Sequence, residues 1–223
     1  ANLSDLIVES VKMKSMSREE MLRRFRFKNF GEVEPFFREN RPVIAVTAHY
    51  GNWEWGSPSL SLMNPHPSLV VYKPQTDKNF ETLINGMRSR FGAIMVPMKL
   101  TLRKVLEYKN KPHMLVLVGD QTPPREESQF FTEFLNQPTA IFLGIEKIAK
   151  LTGSPVVYFH IDRVRRGYYE ATLKTLFGSP KETAEHEITR THTRELERII
   201  RQKPELWLWS HKRWKFKPED VQA

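Results

Sequence analysis

The sequence predicts an α/β domain: a mixed, mostly parallel sheet flanked by helices and preceded by N-terminal helices. Three observations carry this. Short apolar runs rich in β-branched residues recur along the chain, each closed by a turn signal, as buried strands require. Between them lie stretches of helical periodicity joined by single-turn connections, an alternation that builds a mostly parallel sheet covered on both faces. Finally, 223 residues are enough for a sizeable core, and no internal repeat, low-complexity tract or interior linker interrupts them. Residues 1–41 form a helical segment expected to pack on the core or on a membrane, and 42–223 the α/β part.

Residues 4–14 and 17–28 have helical periodicity and each opens on a serine; Ser17 and Glu20 have the spacing of a capping box. In the second stretch Met21, Leu22, Phe25 and Phe30 alternate with Arg23, Arg24, Arg26 and Lys28, a basic amphipathic pattern suited to a membrane surface or to packing on the domain. The first strand runs from Val43 to Ala48. Gly51-Asn52 is a turn, with Asn52 a natural N-cap for a helix starting at Trp53. Strands then come at residues 68–73, 93–97, 113–118 and 155–161, and an alternating one with a single wet face at 168–176. Helices are expected at 77–91, 100–109, 140–152 with Gly153 as its stop, 183–201, and 204–209. Residues 121–138 read as a long polar and aromatic loop.

Composition narrows the chemistry. The absence of cysteine rules out a disulfide scaffold, a thiolate nucleophile and a cysteine-ligated metal site. No window approaches the roughly 20 consecutive apolar residues of a membrane span, and no secretory signal pattern opens the chain. Thirty-five Lys+Arg against 26 Asp+Glu give +9, which points to anionic partners: nucleic acid, anionic membrane or an acidic carrier protein.

His49 and Glu54 are the most informative pair. An apolar run ends at the histidine, and the acid stands five positions later, past a glycine turn. This puts His49 at the carboxyl end of a strand and Glu54 in the first turn of the next helix, where open α/β sheets place their chemistry. A carboxylate there can fix the tautomer of an imidazole and stabilise its charge, making a base. The simpler alternative is a packed histidine beside a first-turn acid stabilised by the helix dipole.

Other segments end strands or open helices and can converge on the same place. Tyr72-Lys73-Pro74 closes the second strand, and its helix carries Arg88-Ser89-Arg90-Phe91-Gly92. Gly119-Asp120-Gln121 closes the central apolar strand. Residues 204–215 set Trp207, Trp209 and Trp214 among bases, a composition that suits a hydrophobic latch, a membrane-interface belt or a nucleic-acid platform.

Taken in order, His49-x4-Glu54, Tyr72-Lys73-Pro74, Arg88-x-Arg90-Phe91-Gly92, Gly119-Asp120-Gln121 and Trp209-Ser210-His211-Lys212-Arg213-Trp214 resemble the bacterial lipid A biosynthesis (lauroyl/myristoyl) acyltransferases of the lysophospholipid acyltransferase superfamily. The resemblance covers most of 42–217 and implies a glycerolipid acyltransferase-like fold. It implies that His49 is the general base and Glu54 its orienting partner. Arg88 or Arg90, with Asp120, would be supporting polar groups, the sequence not choosing between the arginines. Tyr72, Lys73 and Gln121 fall on the substrate side. The family also leads one to expect glycine near position 136, where this chain has Asn136, and a membrane-spanning helix before the catalytic domain, absent from these 223 residues.

The reaction implied by the resemblance is transfer of a fatty acyl group from a thioester, carried by acyl carrier protein or coenzyme A, to a hydroxyl of an anionic lipid A precursor. No cofactor beyond the thioester co-substrate and no metal is expected. Backbone amides at residues 51–54, or an arginine, are candidate oxyanion donors. Phe130, Phe131, Phe134, Ile141, Phe142, Trp53 and Trp55 are candidates to line an acyl tunnel. The expected location is the cytoplasmic face of the inner membrane, peripheral or anchored by a segment outside this chain. Acylation of another lipid acceptor is a close alternative. A basic nucleic-acid-binding or membrane-binding domain without catalysis is a distant one, because it leaves a His-Glu pair at a strand terminus unexplained. No nucleic-acid partner is therefore expected.

Overall fold

The computed structural model describes residues 2–221. In chain order the elements are α1 (Asn2–Met13), α2 (Arg18–Arg24), β1 (Phe25–Phe27), α3 (Glu34–Arg38), β2 (Val43–Thr47), α4 (Trp53–Met63), β3 (Ser68–Tyr72), α5 (Lys78–Arg88), β4 (Ile94–Pro97), α6 (Thr101–Glu107) and β5 (Met114–Val118). A hairpin of β6 (Phe131–Phe134) and β7 (Gln137–Ala140) comes next, then α7 (Gly144–Thr152), β8 (Val156–Arg165), β9 (Tyr168–Phe177) and α8 (Glu187–Gln202).

Seven strands make one sheet in the order β1-β9-β8-β2-β5-β3-β4. Every pairing in it is parallel except β8 with β9. The fold is therefore the mixed, mostly parallel α/β sheet the alternation predicts. All five residues of β2 are buried, which explains why the strand reads as a continuous apolar run: both faces are covered. Val43 and Ala45 belong to the core on the α4 side, together with Trp55, Val116 and Phe159. Ile44 and Val46 belong to the core on the α7 and α8 side, together with Leu117, Ile145 and Ile199.

The N-terminal helices are built into this packing. Met13, Met16, Met21 and Phe25 are fully buried against the α4 side of the sheet. The apolar side of the basic amphipathic stretch thus faces the protein. Ser17 caps α2 by accepting the Glu20 backbone N–H at 3.1 Å. Glu9 of α1 clamps the start of α4: its carboxylate accepts from the Asn52 side-chain amide at 2.6 Å and the Tyr169 hydroxyl at 2.8 Å, and its carbonyl accepts from Trp55 Nε1 at 3.0 Å.

Some boundaries differ from the sequence reading. The helix expected over 17–28 stops at Arg24, and Phe25–Phe27 becomes an edge strand parallel to β9. The long loop holds the β6–β7 hairpin, which turns on Leu135 (φ 52°) and Asn136 (φ 61°). A two-residue turn with both central residues at positive φ is type I′, where asparagine serves almost as well as glycine. Asn136 supplies what a glycine would, and Arg201 bonds its side chain at 3.0 Å. The helices expected from 140 and 183 begin later, at Gly144 and Glu187, and 204–209 contains a single 3₁₀ turn, Pro204–Leu206. Among the described residues no helix is long and apolar enough to cross a membrane.

Candidate active site

The site forms where β2 and β5 end side by side. Their register pairs Thr47 with Val118, so His49 and Asp120, each two residues further on, stand opposite one another. Asp120 is buried and His49 nearly so. His49 Nδ1 lies 2.7 Å from Asp120 Oδ1, and the His49 backbone N–H donates to Asp120 Oδ2 at 3.0 Å. A carboxylate only accepts, so Nδ1 carries the proton and Nε2 holds the lone pair. Nε2 faces the Gln121 amide nitrogen at 3.4 Å.

The backbone beneath His49 is fixed from two sides. Gly51 adopts φ +63°, and a Cβ there would sit 2.7 Å from the Ile161 carbonyl oxygen, so the turn admits glycine alone without rearrangement. After it, Asn52 accepts the Trp55 N–H at 3.0 Å and starts α4, as its N-cap position predicts. From the other side, residues 206–208 run antiparallel to 49–51. Gly51 N–H donates to the Leu206 carbonyl at 3.0 Å, and Leu208 N–H donates to the His49 carbonyl at 3.0 Å. The Gly51 amide is thereby committed, which removes it from the candidate oxyanion donors.

The carboxylate hydrogen-bonded to His49 is Asp120, whereas Glu54 makes a different pair. Glu54 receives two parallel bonds from Arg88, Nε to Oε2 at 2.8 Å and Nη2 to Oε1 at 2.6 Å, plus the Trp53 indole N–H at 3.2 Å. The Trp53 ring in turn meets the His49 ring edge to face, with centroids 5.2 Å apart. Glu54 thus acts on His49 through its field and not through a hydrogen bond.

Structure separates the two arginines. Arg88 enters the site, while Arg90 turns away and donates to the carbonyls of Met13 and Met16, closing the loop after α1. Lys73 is exposed and lines the same cavity as His49, as do Tyr72 and Gln121. The Tyr72 hydroxyl bonds Glu81 at 3.2 Å.

Electrostatics couple the central pair. Burial, the largest influence on His49, disfavours the imidazolium. The charge of Asp120, its hydrogen bond and the more distant Glu54 outweigh it, and the pKa rises above 6.5. For Asp120 burial again opposes charge, yet the facing imidazole, the Trp207 indole and the His49 N–H hold its carboxyl below the ordinary range. Burial pushes His113, His160 and His211 down, and His192 to about 4.

His49 opens on a cavity of about 530 Å³, within the range of small-molecule sites. Its walls are mostly apolar: Val70, Val71, Val116, Leu117, Ile145 and Phe159 among others. Of the seven residues expected to line an acyl tunnel, Trp53 and Phe142 do so. Phe130, Phe134, Ile141 and Trp55 are buried in packing elsewhere, and Phe131 lies on the hairpin. Among the described residues no group of three His, Asp or Glu side chains is placed to hold a metal ion.

The family described as bacterial lipid A biosynthesis acyltransferase matches residues 1–216. The chain belongs to that family. It is 25% identical over 184 residues to a lipid A biosynthesis palmitoleoyltransferase of Escherichia coli (strain K12), which is 81% of this chain and 58% of that protein. It is 24% identical over 185 residues to the lipid A biosynthesis lauroyltransferase of the same organism, 82% of this chain and 59% of that one. A lipid A biosynthesis acyltransferase of Shigella flexneri matches at 25% over 184 residues. The chain thus spans just under three fifths of these curated relatives.

Within this lipid A acyltransferase family member the C-terminal tryptophan stretch is hydrogen-bonded to the site and to the β6–β7 hairpin. Trp207 is buried and donates to Asp120 Oδ2 at 2.9 Å, giving that carboxylate its third hydrogen bond. Trp214 donates to Thr139 Oγ1 at 2.9 Å, and Thr122 in the loop after Asp120 bonds the carbonyls of Lys212 and Arg213. The His211 ring accepts the Thr122 N–H at 3.1 Å. Trp207 is the site residue that sequence reasoning missed. Its only signal was membership of an aromatic cluster with several possible uses.

Proposed function

We propose that this chain is an O-acyltransferase that moves a fatty acyl group from a thioester to a hydroxyl of a lipid A precursor, with His49 as general base. The observation that carries this is the His49–Asp120 pair set at the carboxyl ends of β2 and β5 and opening on an apolar cavity. With Nδ1 bonded to Asp120, Nε2 is free of its proton and turned to the cavity. The acceptor hydroxyl gives its proton to Nε2 as its oxygen attacks the thioester carbonyl. Asp120, rather than Glu54, is the orienting carboxylate in this proposal, since it holds the tautomer and faces the imidazolium that forms. The Glu54–Arg88 pair keeps a guanidinium at the cavity wall, where it can bear on the oxyanion. Collapse of the tetrahedral intermediate returns the proton to the leaving thiolate, so no covalent enzyme intermediate is required.

The donor, acyl carrier protein or acyl-coenzyme A, and the acceptor are both anionic, and so is the membrane surface at which an anionic glycolipid resides. Support for this part comes from the +9 net charge, from Lys73, Lys99 and Lys147 on the cavity wall, and from exposed Leu100 and Leu102 beside them. Leucines flanked by lysines suit the headgroup region of a bilayer. The proposed location is the cytoplasmic face of the inner membrane. Transfer of labelled acyl groups from acyl carrier protein and from coenzyme A to a lipid A precursor, with glycerolipid acceptors alongside, tests the whole reading. Transfer to the precursor is expected; transfer confined to the glycerolipids would reassign the acceptor.

The raised pKa of His49 sets the pH dependence. A general base must be neutral, so transfer is expected to fall as pH drops through a value above 6.5. An acid limb at or below 6.5 in kcat/KM would place the essential proton on another group. Linkage runs the other way. The charged pair stabilises the fold fully between about pH 3.8 and 6.5; the His49 part is lost as pH rises through its raised folded pKa, and the Asp120 part as pH falls through its lowered one.

A further inference from the structure

We propose that Gln121 is a catalytic residue of this site, its side-chain amide donating a hydrogen bond to the oxyanion that forms when a hydroxyl attacks the thioester. This rests on the acyl-transfer reading above and names the donor which that chemistry requires. In the attack an oxygen–carbon bond forms, the carbonyl electron pair moves onto its own oxygen, and the hydroxyl proton passes to His49 Nε2. Collapse restores the carbonyl, breaks the carbon–sulfur bond and gives the proton to the departing thiolate.

The first support is position. His49 Nδ1 holds its proton against Asp120, so the other ring nitrogen accepts, and the Gln121 amide nitrogen faces it at 3.4 Å. A hydroxyl that gives its proton to this base must stand within about 3.2 Å of the same lone pair. It therefore displaces the amide, which is too distant for a strong bond to the ring, and leaves it beside the carbon under attack.

The second support is a backbone pinned on both sides of a free side chain. Before Gln121, Asp120 is 3% exposed and takes three hydrogen bonds. After it, Thr122 N–H donates to the His211 ring at 3.1 Å, and the Thr122 hydroxyl bonds the Lys212 and Arg213 carbonyls at 2.9 and 2.7 Å. From this fixed point the exposed Gln121 side chain reaches the cavity wall. A donor placed in advance costs no reorganisation when charge develops.

Neighbouring donors are committed elsewhere. Gly51 N–H serves the Leu206 carbonyl, Gly119 N–H the Thr47 carbonyl, Trp55 N–H the Asn52 side chain and Thr122 N–H His211. Arg88 directs Nε and Nη2 at Glu54, so it contributes field more than a directed bond.

Gln121→Ala should lower kcat about 10²–10³-fold, the scale of a lost oxyanion donor, with KM changed less than about threefold. Gln121→Glu keeps the size but lacks the NH₂, and should lose at least as much. Its acid limb should also move to higher pH, because a carboxylate joins Asp120, Glu54, Arg88 and His211 around the ring. A surface side chain merely resting on His49 gives neither effect. Binding of a long-chain trifluoromethyl ketone, whose hydrate mimics the tetrahedral intermediate, reads the same donor without turnover. Wild type should bind it at least about tenfold more tightly than Gln121→Ala, while the parent methyl ketone binds both alike. That difference in a protein that transfers no acyl group would keep the donor and reject the acyl-transfer reading alone. Undiminished kcat in folded Gln121→Ala, a loss confined to KM, or an affinity for the trifluoromethyl ketone that the substitution leaves unchanged would overturn the proposal.

Discussion

Replacing His49 by alanine is expected to lower acyl transfer by about 10²–10⁴-fold, the usual contribution of a positioned base, while the protein stays folded. The ring makes few contacts that hold the core. Its backbone N–H still bonds Asp120, its carbonyl still accepts from Leu208, and the neighbouring Trp207 indole still donates to the same carboxylate. Circular dichroism of the variant should therefore resemble that of wild type, any loss in melting temperature being confined to the pH range in which the His49–Asp120 pair is charged, with transfer from a labelled acyl thioester as the readout that changes. Undiminished transfer by a folded His49→Ala protein would remove His49 from the chemistry.

Asp120→Asn is expected to lower kcat by about 10³–10⁴-fold, close to the loss from removing the base itself. The number of acceptor oxygens decides this. Asp120 accepts three hydrogen bonds, from His49 Nδ1–H, the His49 backbone N–H and Trp207 Nε1–H. Asparagine has a single acceptor oxygen. Turned toward the backbone and the indole, it satisfies two donors and presents its NH₂ to Nδ1, forcing the proton onto Nε2 and leaving no base. Turned toward Nδ1, it sets its NH₂ against two buried donors, costing about 1–3 kcal/mol. The first arrangement keeps more bonds, so the variant should fold with the wrong imidazole tautomer, visible in the ¹⁵N shifts of His49. Glu54→Gln leaves all three bonds to Asp120 intact and should lose clearly less. Collapse in Glu54→Gln with activity retained in Asp120→Asn would return the orienting role to Glu54.

That assignment shows where the sequence was legible and where it was not. His49, Asp120 and Arg88 could each be picked out, because strand ends and helix ends announce themselves through Gly51-Asn52, Gly119 and the run from Val43 to Thr47. Their pairing could not. Glu54 is close to His49 in the chain, whereas Asp120 is close only because β2 and β5 are neighbours in a register that sets Thr47 against Val118. No local pattern states which strands adjoin. Likewise Arg88 and Arg90 stand two apart on one short stretch, and only the packing of α1 shows that Arg90 is occupied by the carbonyls of Met13 and Met16.

The same reason governs the fold. The runs that became β2, β3, β5 and β8 are apolar because they are covered on both faces, and such burial leaves a strong trace. Phe25–Phe27 continues the amphipathic phase of α2, so three residues of edge strand cannot be told from a last helical turn. The hairpin from Phe131 to Ala140 is short and half polar, with Glu133 opposite Pro138. Its turn rests on Leu135-Asn136, a weaker signal than Asn-Gly.

The clamp at Glu9 ties the reaction centre to the first helix. Asn52, Trp55 and Tyr169 all bond Glu9, so α1 cannot lift away without releasing the cap that begins α4 and the turn behind His49. In hydrogen-exchange terms the two segments belong to one opening unit. The amides of α1 and those at the start of α4 should share a protection factor, and an occupied cavity should slow exchange in both. A helix that touches no reacting atom would then report, by the lifetime of its own hydrogen bonds, whether the centre is filled.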